Sequence, residues 1–142
     1  MRLSAFEGAW TLTRSIEDVL TGRPGLLEGV ARFTPTDAGL LYAEEGLLTL
    51  GEAPAVAATR RYIWRDGGAS SIEVTFADGG FFHRFCADED APSAVHDCPP
   101  DQYRVRYDFA RWPRWQAEWR VRGPRKDYAM LTRYQPLLHC VE

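Results

Sequence analysis

Polar and hydrophobic residues alternate with a period of two along several segments of the chain. Tyr103, Val105 and Tyr107 fall on one face of residues 102–111, opposite charged neighbours, and residues 114–122 repeat the pattern. Because successive side chains of a strand point to opposite faces, this alternation is typical of strands with one face buried and one in water. One-sided burial favours an antiparallel sheet.

Turn residues separate the alternating segments. Asp66-Gly67 and Asp78-Gly79 are examples, and Asp-Gly between such segments indicates a hairpin turn, because tight hairpin turns need the positive φ that glycine adopts. The pattern predicts about ten strands, over residues 7–16, 27–34, 40–50, 56–65, 70–77, 81–87, 93–98, 102–111, 114–122 and 127–135.

One short segment, Ser15–Gly22, has the pattern of a helix, with Ser15 as a cap and two acidic residues in the first turn. Ten strands joined in sequence order by tight turns predict a single all-β domain over residues 1–142. The expected architecture is an antiparallel up-and-down barrel, because closure removes the exposed edges of a flat sheet.

Composition supports this fold and limits the classes of function. The chain has five Trp, six Tyr and seven Phe, rings that suit a pleated, half-buried surface. No apolar run is long enough for a membrane helix. Three cysteines without a CxxC motif, and no signal-peptide core over Met1–Trp10, lead us to expect a cytoplasmic protein with reduced thiols.

Charge is unevenly distributed along the chain. Residues 1–100 have fifteen acidic and eight basic residues, whereas residues 101–133 have nine basic and four acidic ones. Alternation predicts that Arg104, Arg106, Arg120 and Arg122 share an outer face. Such a stripe is usually a solvated face. The basic turn over residues 122–127, at a barrel mouth, could steer an anionic ligand or contact a partner. We expect neither nucleic-acid nor membrane binding, and we keep a homodimer as an option.

The start of the first strand carries a family motif. Gly8-Ala9-Trp10 resembles the Gly-x-Trp signature of lipocalins and fatty-acid-binding proteins, in which the Trp packs across the closed end of the barrel beneath an Arg of the last strand. The resemblance implies that role for Trp10 and for Arg133, with Arg14 as the alternative.

A second resemblance covers nearly the whole chain. It is carried by the runs FEGAWTLTR, GLLYAEEG, DGGFFHRF, VHDCPPDQYRVRYDF and RGPRKDYAMLTRY, which are similar to a bacterial family of small lipocalin-like (calycin) barrel proteins without an assigned function. The resemblance implies a lipocalin-like barrel and leaves the biochemistry open.

Several residues could form a site at one rim of the barrel. His83 is expected to point inward, and His96, Cys98, Asp101 and Tyr103 flank the Pro99-Pro100 turn of the next hairpin. Their side chains could hold a metal ion, bind haem or form a Cys-His-Asp catalytic group. Alternatively, His83 is a core histidine hydrogen-bonded to a neighbouring strand. No spacing identifies a metal site or a cofactor.

A ring-rich inner face favours ligand binding. The residues predicted to contact a small molecule are Tyr42, Arg60, Tyr62, Trp64, His83, Phe85, His96, Cys98, Asp101, Tyr103, Tyr107, Trp119 and Tyr128. Arg60 is expected to face inward, where it would need an anionic partner. That partner is either Glu44 on the preceding strand or an anionic group of the ligand.

The leading hypothesis is therefore a protein that binds a small hydrophobic or amphipathic ligand, with an anionic group as one option. The alternatives are a small enzyme that uses the His/Cys/Asp rim and a solid barrel that works as an interaction module, since rings of this kind can also fill a barrel.

Overall fold

The computed structural model describes residues 1–137 and is built almost entirely from strands. A short 3₁₀ helix, Leu3–Phe6, precedes ten strands. The strands are β1 (Gly8–Asp18), β2 (Pro24–Thr36), β3 (Gly39–Leu50), β4 (Val56–Gly68), β5 (Ser71–Phe76), β6 (Phe81–Cys86), β7 (Ser93–Cys98), β8 (Asp101–Asp108), β9 (Trp115–Gly123) and β10 (Lys126–Pro136).

All ten strands form one antiparallel sheet in the order β6-β5-β4-β3-β2-β1-β10-β9-β8-β7. The meander joins its two halves where β1 pairs with β10, with Leu12 opposite Tyr134. The predicted lipocalin-like barrel is therefore confirmed. Within residues 1–137, no strand ladder joins β6 to β7. The barrel is therefore nearly closed, and β6 and β7 are edge strands, whereas full closure was expected from the sequence.

The two ends of the barrel differ. At the closed end lie the 3₁₀ helix and the turns after β2, β4, β6 and β8, whereas the open end carries the turns after the odd-numbered strands. Phe6, with no exposed surface, packs from the 3₁₀ helix against Trp64, Trp112 and Trp115 at centroid distances of 5.0–5.3 Å. These rings fill the closed end.

The expected helix over Ser15–Gly22 is wrong. Ser15 lies in β1, opposite Leu131 on one side and Leu26 on the other. Because both neighbouring strands supply ladder partners, strand pairing outweighs the local helical pattern. The strand ends at Asp18, whose side chain accepts a hydrogen bond from the backbone N–H of Leu20. The 3₁₀ helix before β1 was not predicted.

The expectation for Arg133 is also wrong. Arg133 lies opposite Thr13 on the outer face and is exposed. Trp10 does pack at the closed end, where its indole N–H donates to the Phe6 carbonyl oxygen at 2.8 Å. The alternative arginine, Arg14, points inward but binds other groups, as described below.

Close contact between β2 and β3 depends on a pair of glycines. Gly29 and Gly46 lie opposite each other. A Cβ atom on Gly29 would be 2.1 Å from the Glu45 carbonyl oxygen, and one on Gly46 would be 2.4 Å from the Glu28 carbonyl oxygen. Both distances are impossible contacts, so this part of the wall requires glycine at both positions.

Within residues 1–137, no helix is long and apolar enough to cross a membrane.

Candidate functional site

The open half of the barrel contains a cavity of about 320 Å³. This volume is at the lower end of the range found for small-molecule sites. Most of the predicted ligand-binding residues line it, namely Tyr42, Arg60, Tyr62, Trp64, His83, His96, Cys98, Tyr103, Tyr107, Trp119 and Tyr128. Alternation along the strands brings them together, and whether they bind a ligand stays a prediction.

Two predicted residues lie outside the cavity. Phe85 is buried deeper, with its ring 4.2 Å from the ring of Tyr107. Asp101 lies at the rim, where its carboxylate is 3.1 Å from the Lys126 ammonium group. The same ammonium group donates to the Tyr103 hydroxyl at 2.9 Å, so Asp101 belongs to a rim ion pair.

Sequence reasoning missed several lining residues. Val74, Phe76 and Ala117 have the strand parity of the predicted residues and could have been found in this way. Phe82 could not, because strict alternation pointed Phe81 inward. An irregularity in the β5–β6 register between Val74 and Thr75 leaves Phe81 53% exposed and buries Phe82. Such a bulge changes which side chains face inward.

A buried polar network lines one side of the cavity. The Arg14 guanidinium donates to both carboxylate oxygens of Glu44, at 2.7 and 2.9 Å, and to the Thr132 hydroxyl at 2.7 Å. The Tyr42 hydroxyl donates to the same carboxylate. It therefore accepts a hydrogen bond from the Tyr134 hydroxyl, 2.8 Å away. The Arg14–Glu44 pair is bidentate, with two parallel hydrogen bonds, and this arrangement adds geometric specificity to the interaction.

The network keeps both of its charges. Burial alone would raise the pKa of Glu44, but the hydrogen bonds and charge of Arg14 outweigh it and the pKa is lowered. Burial raises the pKa of Tyr42 well above its ordinary value and that of Tyr134 to about 12. Glu44 is therefore ionised and the phenols are neutral at neutral pH.

Arg60 is not the main partner of Glu44. The Nε atom of Arg60 is 4.0 Å from the carboxylate, and the side chain is 43% exposed. Arg14 already satisfies Glu44, so Arg60 extends the cavity wall toward the mouth as a loosely held cation. Of the two partners considered for Arg60, Glu44 supplies only this long contact.

His83 is a second buried titratable side chain of the cavity wall, outside the Arg14–Glu44 network. It is 2% exposed, and its Nε2 atom is 2.8 Å from the Tyr107 hydroxyl. Its Nδ1 atom is buried and has no hydrogen-bond partner among residues 1–137. Burial, with a smaller contribution from the charge of His96, lowers the pKa of His83 to about 3, so the ring is neutral at neutral pH.

The geometry gives little support to a Cys-His-Asp catalytic group or to a metal site. Cys98 is a free, exposed thiol, and among residues 1–137 no hydrogen bond joins it to His83 or His96. His96 instead lies with its ring 5.3 Å from the ring of Phe82, across the gap between β6 and β7. In the described part of the chain, no group of three His, Cys, Asp or Glu side chains is placed to hold a metal ion.

Together, the meander barrel and its internal cavity define a lipocalin-like barrel protein. The chain belongs to a family of unknown function (DUF6314), whose sequence model matches residues 6–136. This assignment confirms the family type predicted from the sequence. A search of curated proteins finds no match.

Among solved structures, the chain is similar to an S-type phycobiliprotein lyase, CPES, from Guillardia theta. The two are 9% identical and superpose with a TM-score of 0.67, covering 97% of this chain and 92% of the lyase chain. At this identity, the likeness shows the fold alone.

Proposed function

We propose that the protein binds a small, largely apolar organic ligand that carries an anionic group, inside the cavity at the open end. The observation that carries this proposal is the combination of a 320 Å³ ring-lined cavity with Arg60 at its mouth. Apolar walls with a few polar groups are typical of small-molecule sites, because burial supplies affinity and the polar groups supply orientation.

The apolar part of the ligand would occupy the cavity interior. Phe, Tyr and Trp rings from seven of the lining strands face this space, including Tyr62, Tyr107 and Trp119. Each square ångström of apolar surface that leaves water contributes about 25 cal/mol. A cavity that stays empty forgoes this contribution and the packing contacts of its lining.

The anionic part of the ligand would contact Arg60. The Arg14 guanidinium already neutralises Glu44 through two short hydrogen bonds, so Glu44 does not need Arg60. A half-exposed guanidinium beside an apolar cavity can bind a carboxylate, sulfonate or phosphate through charge-assisted hydrogen bonds. The likeness to the phycobiliprotein lyase concerns the fold, and the proposal depends on this chain's own residues.

The first experiment is native mass spectrometry of freshly purified protein, followed by calorimetric titration with two carboxylates, planar 2-naphthoate and flexible decanoate. We expect at least one of the two acids to bind. Replacing Arg60 with Gln should weaken that binding at least about tenfold, the usual worth of a hydrogen bond to a charged group.

Arg61→Gln is the matched control. Arg61 is the next residue of β4 and is also exposed, but it does not line the cavity, so this change should leave affinity within about twofold. Binding of neither acid, together with a native mass equal to that of the bare chain, would contradict the proposal. Equal losses from the Arg60 and Arg61 changes would remove Arg60 from it.

A further inference from the structure

An unpaired polar atom marks the inner part of the cavity. His83 is fully enclosed, and its Nε2 atom is used by the Tyr107 hydroxyl, but its Nδ1 atom has no partner within the described residues. Buried polar atoms are rarely left without a hydrogen bond, because a buried atom without a partner has lost the hydrogen bonds that it makes with water in the unfolded chain. His83 lines the cavity, so its Nδ1 atom is a candidate contact for the inner end of a ligand.

The chemistry of Nδ1 limits what can bind there. Burial lowers the pKa of His83 to about 3, so the ring is neutral and Nδ1 is either a donor or an acceptor, depending on the tautomer. If Nε2–H donates to Tyr107, Nδ1 accepts; if the Tyr107 hydroxyl donates, Nδ1–H donates. A hydroxyl group suits both cases, because it can donate and accept.

The wall around this atom favours a flat ligand. Phe82 stacks on Trp119, with centroids 5.1 Å apart and ring planes 13° apart, and Tyr62 stacks on Phe82 at 5.6 Å. Only three aliphatic side chains line the described cavity, namely Val74, Ala117 and Met130. Aromatic faces and edges hold another ring in offset or edge-to-face geometry, which adds to the effect of area alone.

Arg60 and His83 lie at different depths. In the register of the sheet, His83 is opposite Val74, which is opposite Trp64. Trp64 is four residues beyond Arg60 on β4 toward the closed end, an offset along the strand of about 13 Å. The exposed guanidinium therefore marks the mouth, and the enclosed imidazole marks the interior.

We propose that the ligand is a planar aromatic compound with an anionic group at the mouth, on Arg60, and a neutral hydroxyl-type group at its inner end, on His83 Nδ1. This inference rests on the proposed function and specifies the ligand class. A flexible fatty acid offers neither the flat body nor the inner polar group.

Three acids test this inference by calorimetric titration at pH 7. They are 6-hydroxy-2-naphthoate, which has both ends, 2-naphthoate, which lacks the hydroxyl, and decanoate, which is flexible. In the unmodified protein we expect 2-naphthoate to bind at least about fivefold more tightly than decanoate, from stacking. The hydroxyl should add about three- to tenfold more, as one neutral hydrogen bond does.

The variant His83→Gln isolates the inner contact. A glutamine amide can take the place of Nε2 beside Tyr107 but supplies nothing at the position of Nδ1, so the advantage of the hydroxylated acid should disappear while 2-naphthoate still binds. His96→Gln is the matched control, because His96 also lines the cavity but lies at the β6–β7 gap. It should preserve the ratio of the affinities for 6-hydroxy-2-naphthoate and 2-naphthoate, whatever its effect on each affinity.

The outcomes separate this inference from the proposed function. Decanoate binding as tightly as 2-naphthoate, with the loss from Arg60→Gln intact, would overturn the inference and leave the function standing. A hydroxyl advantage that survives His83→Gln, or none in the unmodified protein, would overturn the inner contact. Failure of all three acids to bind, together with a native mass equal to that of the bare chain, would overturn both. The comparison of acids in the unmodified protein decides the question if His83→Gln does not fold.

Discussion

Aromatic residues line both ends of this barrel, but they pack against one another at the closed end and surround a cavity at the open end. At the closed end, Phe6 has no exposed surface and packs on three Trp rings at 5.0–5.3 Å. At the open end, rings such as Trp119 and Phe76 line a cavity of about 320 Å³, together with His83, whose Nδ1 atom has no partner in the described part of the chain.

Side chains from outside the strands contribute to this difference, namely Phe6 of the 3₁₀ helix and Trp112 of the β8–β9 connection. The 3₁₀ helix Leu3–Phe6 precedes β1 and places Phe6 among the rings of the closed end, whereas no such element enters the open end in the described chain. A ring-rich inner face therefore does not by itself determine whether a barrel is solid or hollow. Side chains inserted between the walls from outside the strands contribute to the outcome.

The largest expected effect compares two Phe→Ala changes. Phe6→Ala should lower the free energy of unfolding by about 3–5 kcal/mol, because it leaves a void among packed rings. Phe76→Ala should cost about 1–2 kcal/mol, because Phe76 is 37% exposed and already borders the cavity. Urea denaturation of both variants measures the two values. Similar losses would contradict the contrast between a filled and a hollow end.

A second comparison tests the buried ion pair within the open half. Glu44→Gln leaves the Arg14 guanidinium buried without its counter-charge and should cost about 3–5 kcal/mol. Glu45→Gln makes the same chemical change on the next residue, which is exposed, and should fall within about 0.5 kcal/mol of the unmodified protein. Thermal unfolding of the two variants side by side checks this. A loss of stability in Glu44→Gln as small as that in Glu45→Gln would mean that the Arg14–Glu44 pair does not stabilise the wall.

A smaller effect is expected from pH. Because the pKa of His83 is lowered to about 3 in the folded protein and is near 6.5 in the unfolded chain, only the unfolded chain gains this proton between those values. Stability therefore falls as the pH falls through this window. From pH 7 to pH 5, the His83 contribution is a loss of about 2 kcal/mol.

The variant His83→Gln provides the test of the pH effect, because Gln does not titrate. Urea denaturation at pH 7 and pH 5 should show a smaller loss for this variant than for the unmodified protein, whereas His96→Gln should retain most of the loss. Both pH values lie above the ordinary pKa of a glutamate, and the pKa of Glu44 is lowered from it, so that carboxylate stays ionised at both. An unchanged pH dependence in His83→Gln would show that His83 is protonated without cost.

Period-two alternation predicted the strands, because a strand that is buried on one face has hydrophobic residues at every second position. It also placed residues such as Tyr42 and Trp119 correctly on the inner face. It failed at Phe82, where a register irregularity inverts the alternation. The separate prediction of a helix over Ser15–Gly22 failed because pairing with two neighbouring strands outweighs a local helical pattern.

Contacts across the barrel lie beyond such reasoning. Arg14 on β1 and Glu44 on β3 are both inward by parity, but the sequence pointed to Arg60, on the strand next to Glu44, as the arginine that either Glu44 or a ligand anion would pair. Which guanidinium reaches the carboxylate depends on the curvature of the sheet. For the same reason, Asp101 was expected in the site but pairs with Lys126 at the rim. Whether the barrel encloses a cavity depends likewise on which side chains pack at each end.

Trp indole signals provide the most direct test of the contrast between the two ends. In ¹⁵N-labelled protein titrated with 2-naphthoate, the account predicts that the indole N–H signal of Trp119, which lines the cavity, shifts as the site fills. The signals of Trp10 and Trp112, which pack around Phe6 at the closed end, should stay in place. Shifts at Trp10 and Trp112 with an unmoved Trp119 signal would contradict the account, because they would place the ligand at the filled end.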